Sequence, residues 1–150
     1  MMEAPATAIE QYFNQLIHMR LLTQVVVSDR HGNSIVACTG DSQMPEDSEV
    51  ATNEDVYNND DDFIVSNVVI SGARCFQNFE QLQLGSPEYI SLQYHDNTVV
   101  QILDGECCML TLIGARSQGH CVGGLLVLLP QIRATEAYQE LLKKTEECFQ

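Results

Sequence analysis

Along residues 8–22 the apolar positions Ile9, Phe13, Leu16 and Ile17 recur near every 3.6 residues, which lays one stripe on an amphipathic helix. Thr7 is placed to cap it, with Glu10 three residues on as in a capping box. The period then gives way to Val25, Val26 and Val27, the polar run Ser28-Asp29-Arg30-His31-Gly32-Asn33, and Ile35 and Val36. Residues stiff at χ1 on either side of turn-forming Asp, Gly and Asn make a β-hairpin, with Gly32 at a positive φ.

Residues 40–62 are polar and are predicted to form a long loop that contributes no core. In residues 63–84, Val65, Val69, Gly72, Phe76 and Phe79 follow helical spacing, although Ile64, Val65, Val68, Val69 and Ile70 favour a strand by propensity. Length and period decide for a helix, with Asp60, Asp61 and Asp62 at its N-terminus and Gly85 closing it. Ile64, Val68 and Ile70 then lie off the core stripe. Three short alternating runs follow, at 88–95, 98–103 and 107–114, separated by Asp96-Asn97 and Asp104-Gly105. They read as a meander, the first with Ile90, Leu92 and Tyr94 on one face. Residues 134–148 close the chain with a helix whose stripe is Ala137, Tyr138, Leu141, Leu142 and Thr145. Residues 122–129 either belong to it, kinked at Pro130, or precede it. The predicted order is α-β-β-α-β-β-β-α in one domain spanning 1–150.

Composition narrows the function classes. With 7% aromatic residues and no Trp the core is aliphatic, and a net charge of −14 repels phosphate backbones and anionic lipid. No nucleic-acid partner is expected. The acidic residues concentrate between Arg30 and Arg74, where no Lys or Arg occurs. Six cysteines without a secretory signal read as reduced thiols, and no run of about 18 apolar residues appears, so a soluble cytoplasmic protein is expected.

Candidate chemistry is sparse. The segment Gly114-Ala115-Arg116-Ser117-Gln118-Gly119-His120-Cys121 has phosphate-loop glycine spacing but puts His120 where the Lys belongs and Cys121 where the hydroxyl belongs. A plain connection explains it better than nucleotide binding. His31, Cys38, His95, His120 and Cys121 have no metal-site spacing, and Asn58, Asp60 and Asp62 start a calcium loop that Phe63 and Val69 contradict. No nucleophile or acid and base pair is recognisable, so no catalytic, cofactor or metal residues are assigned.

The run Val25-Val26-Val27-Ser28-Asp29-Arg30, with Gly32 and Ile35-Val36, resembles the first hairpin of the roadblock (dynein light chain) superfamily. Within it, the similarity is greatest to the branch of MEK-partner scaffold subunits of the Ragulator complex. Leu82-x-Leu84-Gly85, Val99-Val100-Gln101 and Gly124-Leu125-Leu126-Val127 support the match over roughly residues 9–147, although only the hairpin is a specific signature. The chain departs from the pattern in its longer, more acidic stretch at 39–62 and in Pro130.

The resemblance implies a roadblock/longin-like α+β sandwich, a five-stranded antiparallel sheet with helices on both faces. It also implies a non-catalytic scaffold that heterodimerises with a second roadblock subunit. The interface so implied comprises an edge strand, Tyr89, Ile90, Ser91, Leu92, Gln93 and Tyr94, and the central helix, Phe63, Asn67, Ile70, Arg74, Gln77 and Gln81. Further implied partners are other Ragulator subunits, Rag GTPases in amino-acid signalling to the TOR kinase, and MAP kinase pathway kinases. Membrane contact would come only through a partner, at late endosomes or lysosomes. A dynein light chain is the alternative, but that branch ends near the last strand, whereas this chain continues into an amphipathic helix.

Overall fold

The computed structural model describes residues 5–40, 54–105 and 107–148, the side chains of 5–6 and 54–66 excepted. The first helix, α1, spans Pro5–His18. It begins before Thr7, with Pro5 in the first turn, where a missing N–H costs nothing. It stops short of residue 22 because Arg20 turns left-handed (φ 64°), while the amides of Arg20 and Leu21 donate to the carbonyls of Ile17 and Leu16.

Strands β1 (Gln24–Asp29) and β2 (Ser34–Thr39) form the expected hairpin. Asp29 organises its turn: its carboxylate accepts the backbone N–H groups of His31 and Asn33 and the Asn33 side-chain amide, each at 2.9 Å. Gly32 has φ 97°.

Helix α2 runs Glu54–Glu80, so residues 54–62 are helical and Asp60, Asp61 and Asp62 lie within the helix instead of ahead of it. Polarity alone does not separate a loop from a solvated helix. The rest of the expected loop, residues 41–53, lies outside the described residues. The core stripe of α2 passes through Val69, Ala73 and Phe76 and continues to half-buried Glu80, which leaves Phe79 43% exposed, contrary to expectation. Gly85 does not close the helix; it lies five residues beyond its end, in the connection to the next strand.

Strands β3 (Ile90–Gln93), β4 (Asn97–Asp104) and β5 (Cys108–Ala115) complete an antiparallel sheet in the order β2-β1-β5-β4-β3. The expected single last helix is two: α3 (Val122–Arg133), which carries Pro130 within it, and α4 (Glu136–Cys148). The break falls after Arg133, where the Thr135 hydroxyl accepts the Tyr138 N–H at 3.3 Å and caps α4.

Alternation along the strands divides the buried residues between two faces. Val25, Val27, Val100, Ile102, Leu110 and Leu112 meet α1, α3 and α4 in the main core. Val26 and Met109 meet Val69, Ala73 and Phe76 of α2 in a smaller one. The main core is pinned at Asp104, which takes Arg133 Nη2 at 2.8 Å and the buried Tyr138 hydroxyl at 2.6 Å. Burial first, and then the Asp104 charge, hold the Tyr138 hydroxyl above its ordinary pKa. Among the described residues no helix is long and apolar enough to cross a membrane.

Candidate interaction surface

Strand β3 is four residues long and lies at one edge of the sheet, opposite only β4. Its register puts Ile90 opposite Gln101, Ser91 opposite Val100, Leu92 opposite Val99 and Gln93 opposite Thr98. The hairpin to β4 closes with the Tyr94 amide donating to the Asn97 carbonyl at 2.7 Å. In an antiparallel ladder the backbone groups of alternate residues face the same neighbour. Those of Ile90, Leu92 and Tyr94 are therefore spent on β4, and those of Ser91 and Gln93 point out of the sheet. The side chains alternate as well. Ile90 and Leu92 are half-buried, Ile90 against the α2 core, while Ser91 and Gln93 are exposed.

Tyr89 and Tyr94 flank this edge at 46% and 48% exposure. On α2, Asn67, Ile70, Arg74 and Gln77 lie three or four residues apart and are all exposed, which makes them one outward stripe. Gln81 is exposed too, but α2 ends at Glu80, and Gln81 belongs to the turn that follows. Phe63 lies within α2 and its side chain is outside the described residues. Arg74 is the one charged group among the described residues of this set, in a chain of net charge −14. Ile70 itself packs against Gly32 in the β1–β2 turn.

Sequence periodicity missed further exposed apolar residues. Phe79, Leu82 and Leu84 are exposed, Leu84 at 85%, in the segment that leads from α2 toward β3. The available signal was the lack of any apolar partner pattern in 81–88. Nearby, Glu80 is held below its ordinary pKa by hydrogen bonds from Ser86 (2.9 Å) and Arg30 (2.7 Å), which tie the end of α2 to the first hairpin.

The glycine-spaced segment closes on itself. The Ala115 amide donates to His120 Nδ1 and the other ring nitrogen meets the Arg20 carbonyl, both at 2.9 Å, so the imidazole occupies the interior of the connection. Of the cysteines, Cys38 and Cys108 are buried, and burial above all pushes each thiol up to about 11. They are core residues with little thiolate character. Among the described residues no group of three or more His, Cys, Asp or Glu side chains assembles in metal-binding geometry.

No protein-family model matches the chain, and no curated protein does. Solved structures do. A structure described as the gliding protein MglB from Thermus thermophilus superposes with a TM-score of 0.63 at 14% identity over 98% of this chain and 95% of the other. MglB from Myxococcus xanthus gives 0.63 at 16% identity over 98% and 94%. A structure described as MglB with tetrameric arrangement gives 0.63 at 14% over 98% and 94%. At these identities the likeness is one of fold: the five-stranded antiparallel sheet with helices on both faces that the roadblock resemblance implies.

Proposed function

We propose that the chain is a non-catalytic scaffold subunit that pairs, edge to edge through β3, with a second protein of the same fold. The observation that carries this reading is the open edge of β3. Ser91 and Gln93 offer unpaired backbone groups between two exposed tyrosines. Such an edge is a template for strand addition, and natural proteins protect it unless it is used. Tyr is enriched where an interface buries one apolar side and one polar tip.

The finer reading rests on the sequence resemblance of the first hairpin. In it the partner is the second roadblock subunit of a Ragulator-like complex. The assembly supports Rag GTPases and MAP kinase pathway kinases on the cytosolic face of late endosomes or lysosomes, and reaches the membrane through other subunits. A second copy of the chain is the competing occupant of the edge, and one of the similar structures is described as tetrameric. Affinity purification of the tagged full chain from its own cells, followed by identification of the stoichiometric partner, separates these outcomes. A roadblock-type subunit together with further Ragulator subunits is the expected result. Recovery of the chain alone as a monomer would remove the proposal.

A further inference from the structure

Of the four prolines in the chain, Pro87 alone follows a hydroxyl residue, Ser86. The pair lies in the connection between α2 and β3, where residues 81–86 are exposed and belong to neither helix nor strand. Gly85, immediately ahead, has φ 90°, and a Cβ there would meet nothing within 4 Å, so the chain reaches Ser86 through open space. Pro87 in turn biases Ser86 toward the extended backbone that a kinase needs in its substrate.

Ser86 is tied to the end of α2 by a bond that phosphorylation must break. Its hydroxyl donates to Glu80 Oε2 at 2.9 Å, and Arg30 Nη2 donates to the same oxygen at 2.7 Å. These bonds, that of Ser86 first, hold the Glu80 carboxyl below its ordinary pKa. Glu80 is therefore ionised wherever a phosphate monoester carries its full charge. Ser86, Pro87 and Glu88 line a cleft of about 590 Å³ together with Arg30 and Arg133. Arg30 already serves Glu80, and Arg133 already serves Asp104 at 2.8 Å. With Glu88 added, the carboxylates outnumber the guanidinium groups.

We propose that Ser86 is a phosphorylation site for a proline-directed kinase, and that its phosphate releases the connection 81–89 from the end of α2. Ser86 Oγ attacks the γ-phosphorus of ATP, the bond to the β–γ bridging oxygen breaks, ADP leaves, and the hydroxyl proton passes to the kinase's base. The product has lost the donor that Glu80 accepted and carries about −1.5 to −2 charges at pH 7. Glu80 and Glu88 repel that charge while both arginines are already paired, which is the setting in which a phosphate breaks a contact instead of building one. The connection opens with turns that report its release: the amides of Gln81, Leu82 and Gln83 donate to the carbonyls of Asn78, Phe79 and Glu80 at 3.2, 3.1 and 3.4 Å.

The test incubates the full ¹⁵N-labelled chain with a MAP kinase or a cyclin-dependent kinase and Mg·ATP, beside a synthetic peptide of residues 80–92. Mass spectrometry should place a phosphate on Ser86 in both, and Ser86→Ala should abolish it. In the phosphorylated chain, amide exchange at Leu82 and Gln83 should quicken at least threefold. Glu80→Gln removes the facing charge and keeps an acceptor, so it should cut that gain at least twofold. Modification of the peptide but not of the chain, modification of neither, or a modified chain whose exchange at Leu82 and Gln83 is unchanged or slower would each overturn the proposal. Slower exchange would mean that Arg30 has left Glu80 for the phosphate and tightened the connection.

Discussion

Asp29 shows what one residue contributes to the hairpin. Burial alone would raise its carboxyl, but three hydrogen bonds, from the Asn33 side chain and from the amides of Asn33 and His31, outweigh it and hold the pKa below its ordinary value. The folded state therefore binds the proton less tightly than the unfolded chain. The resulting stability is fully present above about pH 5 and is lost as the pH falls through the folded-state value. Asp29→Asn keeps one acceptor and loses the bond from the Asn33 side chain. It should cost about 1 kcal/mol near neutrality, and the gap to wild type should close on acidification toward pH 3. Urea unfolding at pH 7, 5 and 3 measures this, and a gap independent of pH would mean that the carboxylate charge is not what holds the turn. Gly72 is a second such position, since a Cβ there would run into the amide of fully buried Gln101, which donates to the Val68 carbonyl and Thr111 Oγ1, both at 3.2 Å. Gly72→Ala should destabilise by about 1–3 kcal/mol in the same assay. The turn role of Asp29 was legible in the sequence, because Asp, Gly and Asn between β-branched runs have few other uses. Gln101 was not, because it sits in an alternating strand and only the approach of α2 makes it a buried contact.

Among the elements, α2 and β3 carry the proposed function and were read unequally well. Helical spacing located the α2 core stripe through Val69 and Phe76, yet the helix starts at Glu54, because an acidic run carries no apolar period to mark its onset. The closing helix divides after Arg133, where the Thr135 hydroxyl caps α4, and not at Pro130, which the helix accommodates. The strand and its facing residues followed from alternation, and its place at the edge from the roadblock resemblance, but which of Ser91 and Leu92 looks outward needed the register. That register now assigns the outcomes. Ser91→Pro removes an N–H that points away from the sheet and should abolish pairing with a partner while circular dichroism and the melting temperature stay near wild type. Leu92→Pro removes a ladder bond to β4 and should destabilise the subunit itself by about 1–3 kcal/mol. Pull-down beside thermal melts distinguishes the two. Wild-type partner capture by Ser91→Pro would show that β3 is not the pairing edge.

For the molecule as a whole, the balance between exposed apolar surface and net charge decides how it behaves alone. Ile70, Phe79, Leu82, Leu84, Tyr89 and Tyr94 are each at least 37% exposed, and all belong to α2, to β3 or to the chain joining and flanking them. Exposed apolar residues of this size favour burial against a partner, and a standard interface removes about 800 Å² per side. Two copies of a chain with net charge −14 repel one another at low ionic strength, where the Debye length reaches about 30 Å, and much less at 1 M, where it falls to about 3 Å. Without its partner the chain should therefore self-associate more strongly as salt rises, and Ile70→Glu, which replaces an exposed apolar side chain by a carboxylate, should oppose this. Sedimentation velocity at roughly 10 mM and 1 M salt, conditions spanning that change in screening, reads both effects. A complex with a roadblock partner of opposite charge would instead weaken with salt, so the sign of the salt dependence tells which occupant the surface was built for. A monomer at every salt concentration, with Ile70→Glu indistinguishable from wild type, would mean that this apolar surface is not an interface at all.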